Sequence, residues 1–129
     1  MREILFRGRR TDNDKWVEGF YLTSPEFDNI GISVVTAIDP RHPHYVFKRT
    51  VGQYTGLTDK NGKKIFEGDI VVYRIDEYGI IEYDEEIARF CVTFDTWSTD
   101  FDHLYGKELE VIGNIHDNPE LLNESEDTE

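Results

Sequence analysis

The sequence predicts a mainly β protein, with many short antiparallel strands gathered into a small barrel or sandwich. Three observations predict it. Runs of β-branched and aromatic residues recur at intervals of roughly 8–12 residues between turn-forming clusters. An Asn61–Gly62 pair lies between two β-prone segments, the strongest short-range hairpin signal. No segment sustains a 3.6-residue apolar period.

Taken in order, 3-EILFRGRR-10 and 15-KWVEGFYLT-23 are β-prone and are separated by the polar cluster 11-TDND-14, which predicts a hairpin. Trp16, Phe20 and Leu22 fall on one face of the second strand and Val17 and Tyr21 on the other, so cover on both sides is expected. The segment 24-SPEFDNIG-31 reads as a loop and 31-GISVVTAID-39 as a strand. Pro40 and Pro43 in 40-PRHPHY-45 lack amide donors and predict a turn or an irregular edge. Strand character resumes over 45-YVFKRTVGQYTGL-57, interrupted by Gly52 and Gly56. Asn61–Gly62 then predicts a type I′ turn, which needs positive φ at both residues. IVVYRI after Gly68–Asp69 is the most strand-like piece, with Ile65, Ile70 and Val72 as core candidates. The runs 80-IIEYDEE-86 and 87-IARFCVTF-94 are expected to pair across an acidic turn. The polar, aromatic stretch 95-DTWSTDFDHLYGKE-108 reads as a loop or short helical turn, and 109-LEVIGNI-115 as a last strand. A short C-terminal helical turn is predicted with Asn118 as N-cap and Pro119 at the first helical position, followed by an acidic tail at 123–129 expected to be disordered.

A chain of 129 residues fits one domain or two tightly joined lobes, with about two-thirds of the unfolded surface buried on folding. The single cysteine, Cys91, excludes an intrachain disulfide and suits a reducing compartment. The N-terminal stretch has no apolar signal region and no run approaches the roughly 18 residues of a membrane span, so a cytoplasmic protein with no membrane partner is expected. The net charge is −13 and it is unevenly placed. Residues 1–64 hold 11 Lys/Arg and 8 Asp/Glu, whereas residues 65–129 hold 3 and 19. Such a chain repels nucleic acid overall, because phosphate binding rests on Lys and Arg. A basic face in the first half still acts at short range, within a screening length of about 8–10 Å.

Three blocks, ILFRGRRTDNDKWVEGF, VGQYTGLTDKNGKKIFEGDIV and LEVIGNIHDNPELL, resemble in order the YopX family of phage and prophage proteins. The middle block is the most specific, and segments 24–45 and 76–104 match no recognised part. The resemblance implies a β-rich fold, a bacterial host cytoplasm, self-association into a homo-oligomer and no established activity. It therefore carries over no catalytic residue. It frames the chain as one YopX-like domain over 1–129, with an N-terminal β-hairpin-rich lobe at 1–64 and a second lobe at 65–122. Separately, 68-GDIVVYRIDEYGIIEYD-84 followed by RFCVTF and VIGNI looks like the strand order of an SH3-like barrel, placing a small barrel of that kind in the C-terminal half.

Candidates for chemistry are sparse. Asp95, Asp100, Asp102 and His103 offer metal-ligand types, but the spacing lacks the Gly and closing Glu of an EF-hand loop. His42 and His44 are spaced to share one side of a strand without further ligands nearby. Cys91 in mid-strand reads as a small buried hydrophobe rather than a nucleophile. No phosphate-binding Gly-rich loop, nucleophile elbow or metalloprotease motif occurs. The expectation is therefore no catalytic residue, no metal, no cofactor and no enzyme. Basic residues are the remaining candidates. Arg7, Arg9, Arg10, Lys60, Lys63 and Lys64, with Tyr54 as a stacking ring, form a candidate contact edge if the hairpins around 11–14 and 59–62 are neighbours, with Lys48 and Arg49 as further cations. Two functional classes follow. One is a non-enzymatic, self-assembling interaction protein with an unidentified host or phage partner. The other is a nucleic-acid-associated accessory factor, or an acidic DNA mimic that occupies a host protein.

Overall fold

A computed structural model describes residues 4–22, 25–36, 43–74, 77–95, 97–100 and 107–122. The chain is mainly β and divides into two compact units, Met1–Tyr54 and Thr55–Glu129.

The first unit contains β1 (Phe6–Arg9), β2 (Trp16–Leu22), α1 (Pro25–Asn29), β3 (Ile32–Thr36), β4 (Pro43–Phe47), a 3-10 turn at Lys48–Thr50 and the start of β5 (Gly52–Thr58). Its sheet runs in the order β4-β3-β2-β1-β5. The β1–β2 hairpin forms as expected, with Arg9 opposite Trp16. Asp14 takes φ +60° in its turn, and the Lys15 N–H donates to Asn13 Oδ1 at 3.0 Å. Asp and Asn suit this role because their short polar side chains satisfy local amides and tolerate left-handed backbone. The expected loop at 24–31 instead holds the short helix α1, with Pro25 at its first position and Gly31 at φ +75° beyond its end. Pro43 lies in β4, which is the edge of the sheet, where its missing amide donor leaves no ladder bond unmade.

The sheet curls until its edge meets its own start. Arg10 and Val46 form an isolated antiparallel bridge, and the Thr11 N–H donates to the Tyr45 carbonyl at 3.0 Å. A Cβ at Gly8 would lie 2.7 Å from Val46 Cγ2, so the approach of β4 to β1 requires glycine there. Val46 is fully buried. The expectation that β2 is covered on both faces does not hold: Phe20 is 61% and Leu22 59% exposed.

The second unit contains the end of β5, then β6 (Lys64–Phe66), β7 (Asp69–Tyr73), β8 (Glu77–Asp84), β9 (Arg89–Phe94), β10 (Ser98–Asp100) and β11 (Leu109–Asn114). Strands β7 to β10 form an antiparallel meander, and β11 returns to the free side of β7, giving the order β10-β9-β8-β7-β11. Among the described residues no pairing joins β10 to β11, so this sheet is open where a closed small barrel was expected. The stretch expected as loop at 95–108 contributes β10, turned tightly by a Phe94 N–H donating to the Trp97 carbonyl at 2.7 Å. The core is Ile65, Val71, Ile81, Val92, Phe94 and Leu109, with Tyr73 and Val111 packed against it. Ile65 and Ile70 are fully buried as expected, whereas Val72 is half-buried and Val71 takes the core position beside them.

Two buried carboxylates set the turns. The hairpin at 59–63 is not a type I′ turn, because Gly62 has positive φ there and Asn61 does not. Instead Asp59, 4% exposed, accepts the Asn61 and Lys63 N–H groups on Oδ1 and the Val111 N–H on Oδ2, at 2.8, 2.9 and 2.9 Å. That one side chain organises the turn and ties it to β11. Asp69, 1% exposed, accepts the Phe66 N–H at 2.8 Å across the turn between β6 and β7. At the C-terminal end residues 120–122 are helical. The expected N-cap Asn118 faces backwards, its Oδ1 accepting the Asn114 N–H at 3.2 Å. The tail at 123–129 lies outside the described residues.

Candidate functional site

The candidate contact edge is divided between the units: Arg7, Arg9, Arg10 and Tyr54 belong to the first, Lys60, Lys63 and Lys64 to the second. Within the first, the arginines lie on aromatic rings or on a carboxylate. The Arg7 guanidinium lies 4.8 Å from the centre of the Trp16 ring. Arg9 and Arg49 both lie over the Phe47 ring, at 5.9 and 5.1 Å. Each contact places a cation against the negative face of a ring, worth about 0.5–1 kcal/mol at exposed sites. Arg10 engages Asp12 with two bonds, Nε to Oδ1 at 2.9 Å and Nη2 to Oδ2 at 2.6 Å, and this fork holds the Asp12 carboxyl below its ordinary range. Tyr54 is half-buried in β5, its N–H donating to the Leu5 carbonyl at 2.8 Å.

In the second unit the three lysines are exposed around the Asp59 turn. Lys60 Nζ is 3.6 Å from Glu110, which also accepts from the Asn61 amide at 3.4 Å. An exposed pair of this kind contributes little.

The first unit also contains a feature that the charge pattern alone did not mark. Ile30, Gly31, Phe47, Lys48 and Arg49 line an open cavity of about 530 Å³. Its frame follows from local chemistry. Ile32 pairs with Phe47 across β3 and β4, and the Lys48 N–H donates to the Gly31 carbonyl at 2.8 Å, which brings the end of α1 beside the 3-10 turn. Thr50, 1% exposed, donates its hydroxyl to the Phe47 carbonyl at 2.6 Å and accepts the Arg9 N–H at 2.9 Å. The turn is thus fixed to β1 by one buried hydroxyl, and Lys48 and Arg49 are held on its exposed side. The walls are apolar, with Ile30 66% exposed, and the rim is cationic. The tetrapeptide FKRT already carried the signal: an aromatic, two cations and a hydroxyl placed to close a turn.

The remaining candidates carry less. Asp102, His103 and His42 lie outside the described residues, and among those described no group of three or more His, Cys, Asp or Glu could hold a metal ion. Cys91 is half-buried in β9, with Sγ 4.0 Å from Thr93 Oγ1, and so is less enclosed than expected. No helix among the described residues is long and apolar enough to cross a membrane.

A family model described as YopX protein matches residues 5–123. The chain belongs to the YopX family. Its YopX fold is similar to a solved structure, the crystal structure of protein EF1440 from Enterococcus faecalis, at 28% sequence identity and a TM-score of 0.63, over 95% of this chain and 99% of that one. No match was found among curated proteins. The YopX match spans all seven residues of the divided contact edge and all five lining the cavity.

Proposed function

We propose that this YopX-family chain is a non-enzymatic interaction protein, encoded by a phage or prophage and acting in the cytoplasm of the bacterial host, that assembles with copies of itself. The observation that carries the reading is the opposed chemistry of the two units. The first holds 8 Lys/Arg against 7 Asp/Glu and presents a cationic, aromatic cavity; the second holds 6 against 20. Opposed surfaces on one chain favour head-to-tail contacts between copies. The strand order of the second unit supports reading it as an SH3-like lobe left open: a four-strand meander with the fifth strand returned to the first. The test is light scattering at micromolar concentration. The expected result is a mass of several copies at low salt, falling as salt screens the contact. A monomer at low salt overturns the assembly.

A second reading rests on a separate observation, the guanidinium–ring pairs Arg7–Trp16 and Arg49–Phe47, which are the residue types that hold single-stranded nucleic acid. The net charge of −13 opposes it. Labelled single- and double-stranded DNA at low salt decide: retention of the single strand supports an accessory factor, and no shift removes it.

A further inference from the structure

We infer that the cavity of the first unit is the receptor for the β8–β9 turn of a second copy of this chain, an inference that rests on the self-assembly proposed above and assigns its contact. The two surfaces are complementary in charge and in apolar content. The receptor is lined by Ile30, Gly31 and Phe47 together with the cations Lys48 and Arg49, and because the Arg9 and Arg49 guanidiniums lie over the Phe47 ring, Ile30 is its exposed apolar side chain. The β8–β9 turn carries three consecutive carboxylates, Asp84, Glu85 and Glu86, followed at once by Ile87, which is 50% exposed. An acidic run with an isoleucine beside it allows the carboxylates to meet the cations while the isoleucine leaves water.

The turn is built to be presented. Asp84 pairs with Arg89 at the end of the ladder, and Asp84 Oδ1 accepts the Glu86 N–H at 3.0 Å. Ala88 takes φ +55° to close the loop. Below it the Tyr83 and Phe90 rings meet edge to face at 5.2 Å. The turn is therefore ordered before contact, which lowers the entropy lost on docking. The receptor is ordered by the Thr50 hydroxyl and the Gly31–Lys48 bond. A cavity of about 530 Å³ falls within the range that holds a small ligand or a few side chains. Burial of Ile87 and Ile30 against each other supplies the apolar part of the contact. Rim charges chiefly set the encounter rate and the salt dependence.

The test exchanges the charges. Lys48→Glu/Arg49→Glu makes the receptor acidic, and Glu85→Lys/Glu86→Lys makes the turn basic. All four residues are exposed, and each variant is checked against the parent by far-UV circular dichroism and melting. Each variant alone is expected to weaken self-association at low salt by about tenfold or more, because like charges then face each other. An equimolar mixture of the two is expected to recover the parent's mass, since every turn then finds a receptor of opposite sign on the other chain. Ile87→Ser, which leaves the charges in place, is expected to weaken association without changing its salt dependence. If the parent assembles and either charge-reversed variant assembles equally well, the assigned contact is wrong while self-assembly stands. If both variants are monomeric and the mixture stays monomeric, the contact between these two surfaces is also excluded. Should a charge reversal disturb folding, Lys48→Gln/Arg49→Gln and Glu85→Gln/Glu86→Gln replace it and must each weaken association for the inference to stand. A mononucleotide or single-stranded DNA that binds the parent and not Lys48→Glu/Arg49→Glu, while self-association is unaffected by that change, assigns the cavity to a nucleic-acid ligand and overturns the inference. A monomeric parent at low salt removes the self-assembly reading itself.

Discussion

The two units bury their apolar residues differently. In the second, Ile65, Val71, Ile81, Val92, Phe94 and Leu109 converge on one core, and Asp59 and Asp69 close its turns from within. In the first, Val46 is fully buried, while Phe20, Leu22, Ile30 and Tyr45 are exposed, Arg7 and Arg9 lie on rings and Arg10 lies on Asp12. Buried apolar surface stabilises a fold at about 25 cal/mol per Å², and surface left in water contributes nothing until something covers it. The second unit thus has a converged core, and its exposed apolar side chains, Tyr83, Ile87, Trp97 and Ile115, sit on a strongly acidic unit. The first sets exposed apolar groups beside cationic ones.

The largest expected effect comes from the core. Ile81→Ala removes a fully buried side chain, and a loss of about 2–5 kcal/mol is expected in urea unfolding. The counterpart in the first unit is Gly8→Ala. Its new Cβ meets Val46 Cγ2 at 2.7 Å, and overpacking of this kind costs about 1–3 kcal/mol. Hydrogen exchange separates the two: Ile81→Ala should lower protection in β7, β8 and β9, and Gly8→Ala in β1 and β4. Equal loss across every strand from either change would break the comparison and make the chain a single cooperative block.

The β class, the β1–β2 hairpin, the β8–β9 hairpin and the burial of Ile65 and Ile70 were legible in the sequence, because each rests on local alternation and turn chemistry. What was not legible depends on contacts distant in sequence. Nothing local shows that Asp59 reaches Val111, so Asn61–Gly62 read as a type I′ turn when a buried carboxylate had replaced that geometry. Nothing local shows that β4 returns to Arg10, which makes Gly8 a packing requirement. The same limit applies to the candidate site. Lysines and arginines can be counted in a sequence, but their partners cannot. Arg10 is committed to Asp12 and Lys60 lies against Glu110, whereas the cavity beside Phe47 exists only once β3 and β4 pair.

Smaller effects sharpen the contrast in polar chemistry. Asp59→Ala leaves three amide donors without their acceptor, and a loss of about 1–3 kcal/mol is expected. Asp59→Asn keeps one carbonyl oxygen and should fall between. In the first unit Thr50→Val removes a hydroxyl that both donates and accepts, with an expected loss of about 1 kcal/mol. If Thr50→Val also weakens self-association more than its stability loss explains, the 3-10 turn is confirmed as the frame of the receptor.

The smallest effect is electrostatic and depends on pH. The Arg10 fork lowers the Asp12 carboxyl, so the pair's contribution is present above the ordinary carboxylate range and is lost as pH falls through the lowered value. Asp12 is exposed and the pair contributes little to stability, so the measurement is an NMR titration: Arg10→Gln should return the Asp12 carboxyl to the ordinary range. Its consequence for the comparison is one of sign. Acid that protonates Asp12 leaves the Arg10 guanidinium without its counter-charge and so adds a positive charge to the first unit. An Asp12 carboxyl that stayed below the ordinary range in Arg10→Gln would show that something other than this fork lowers it.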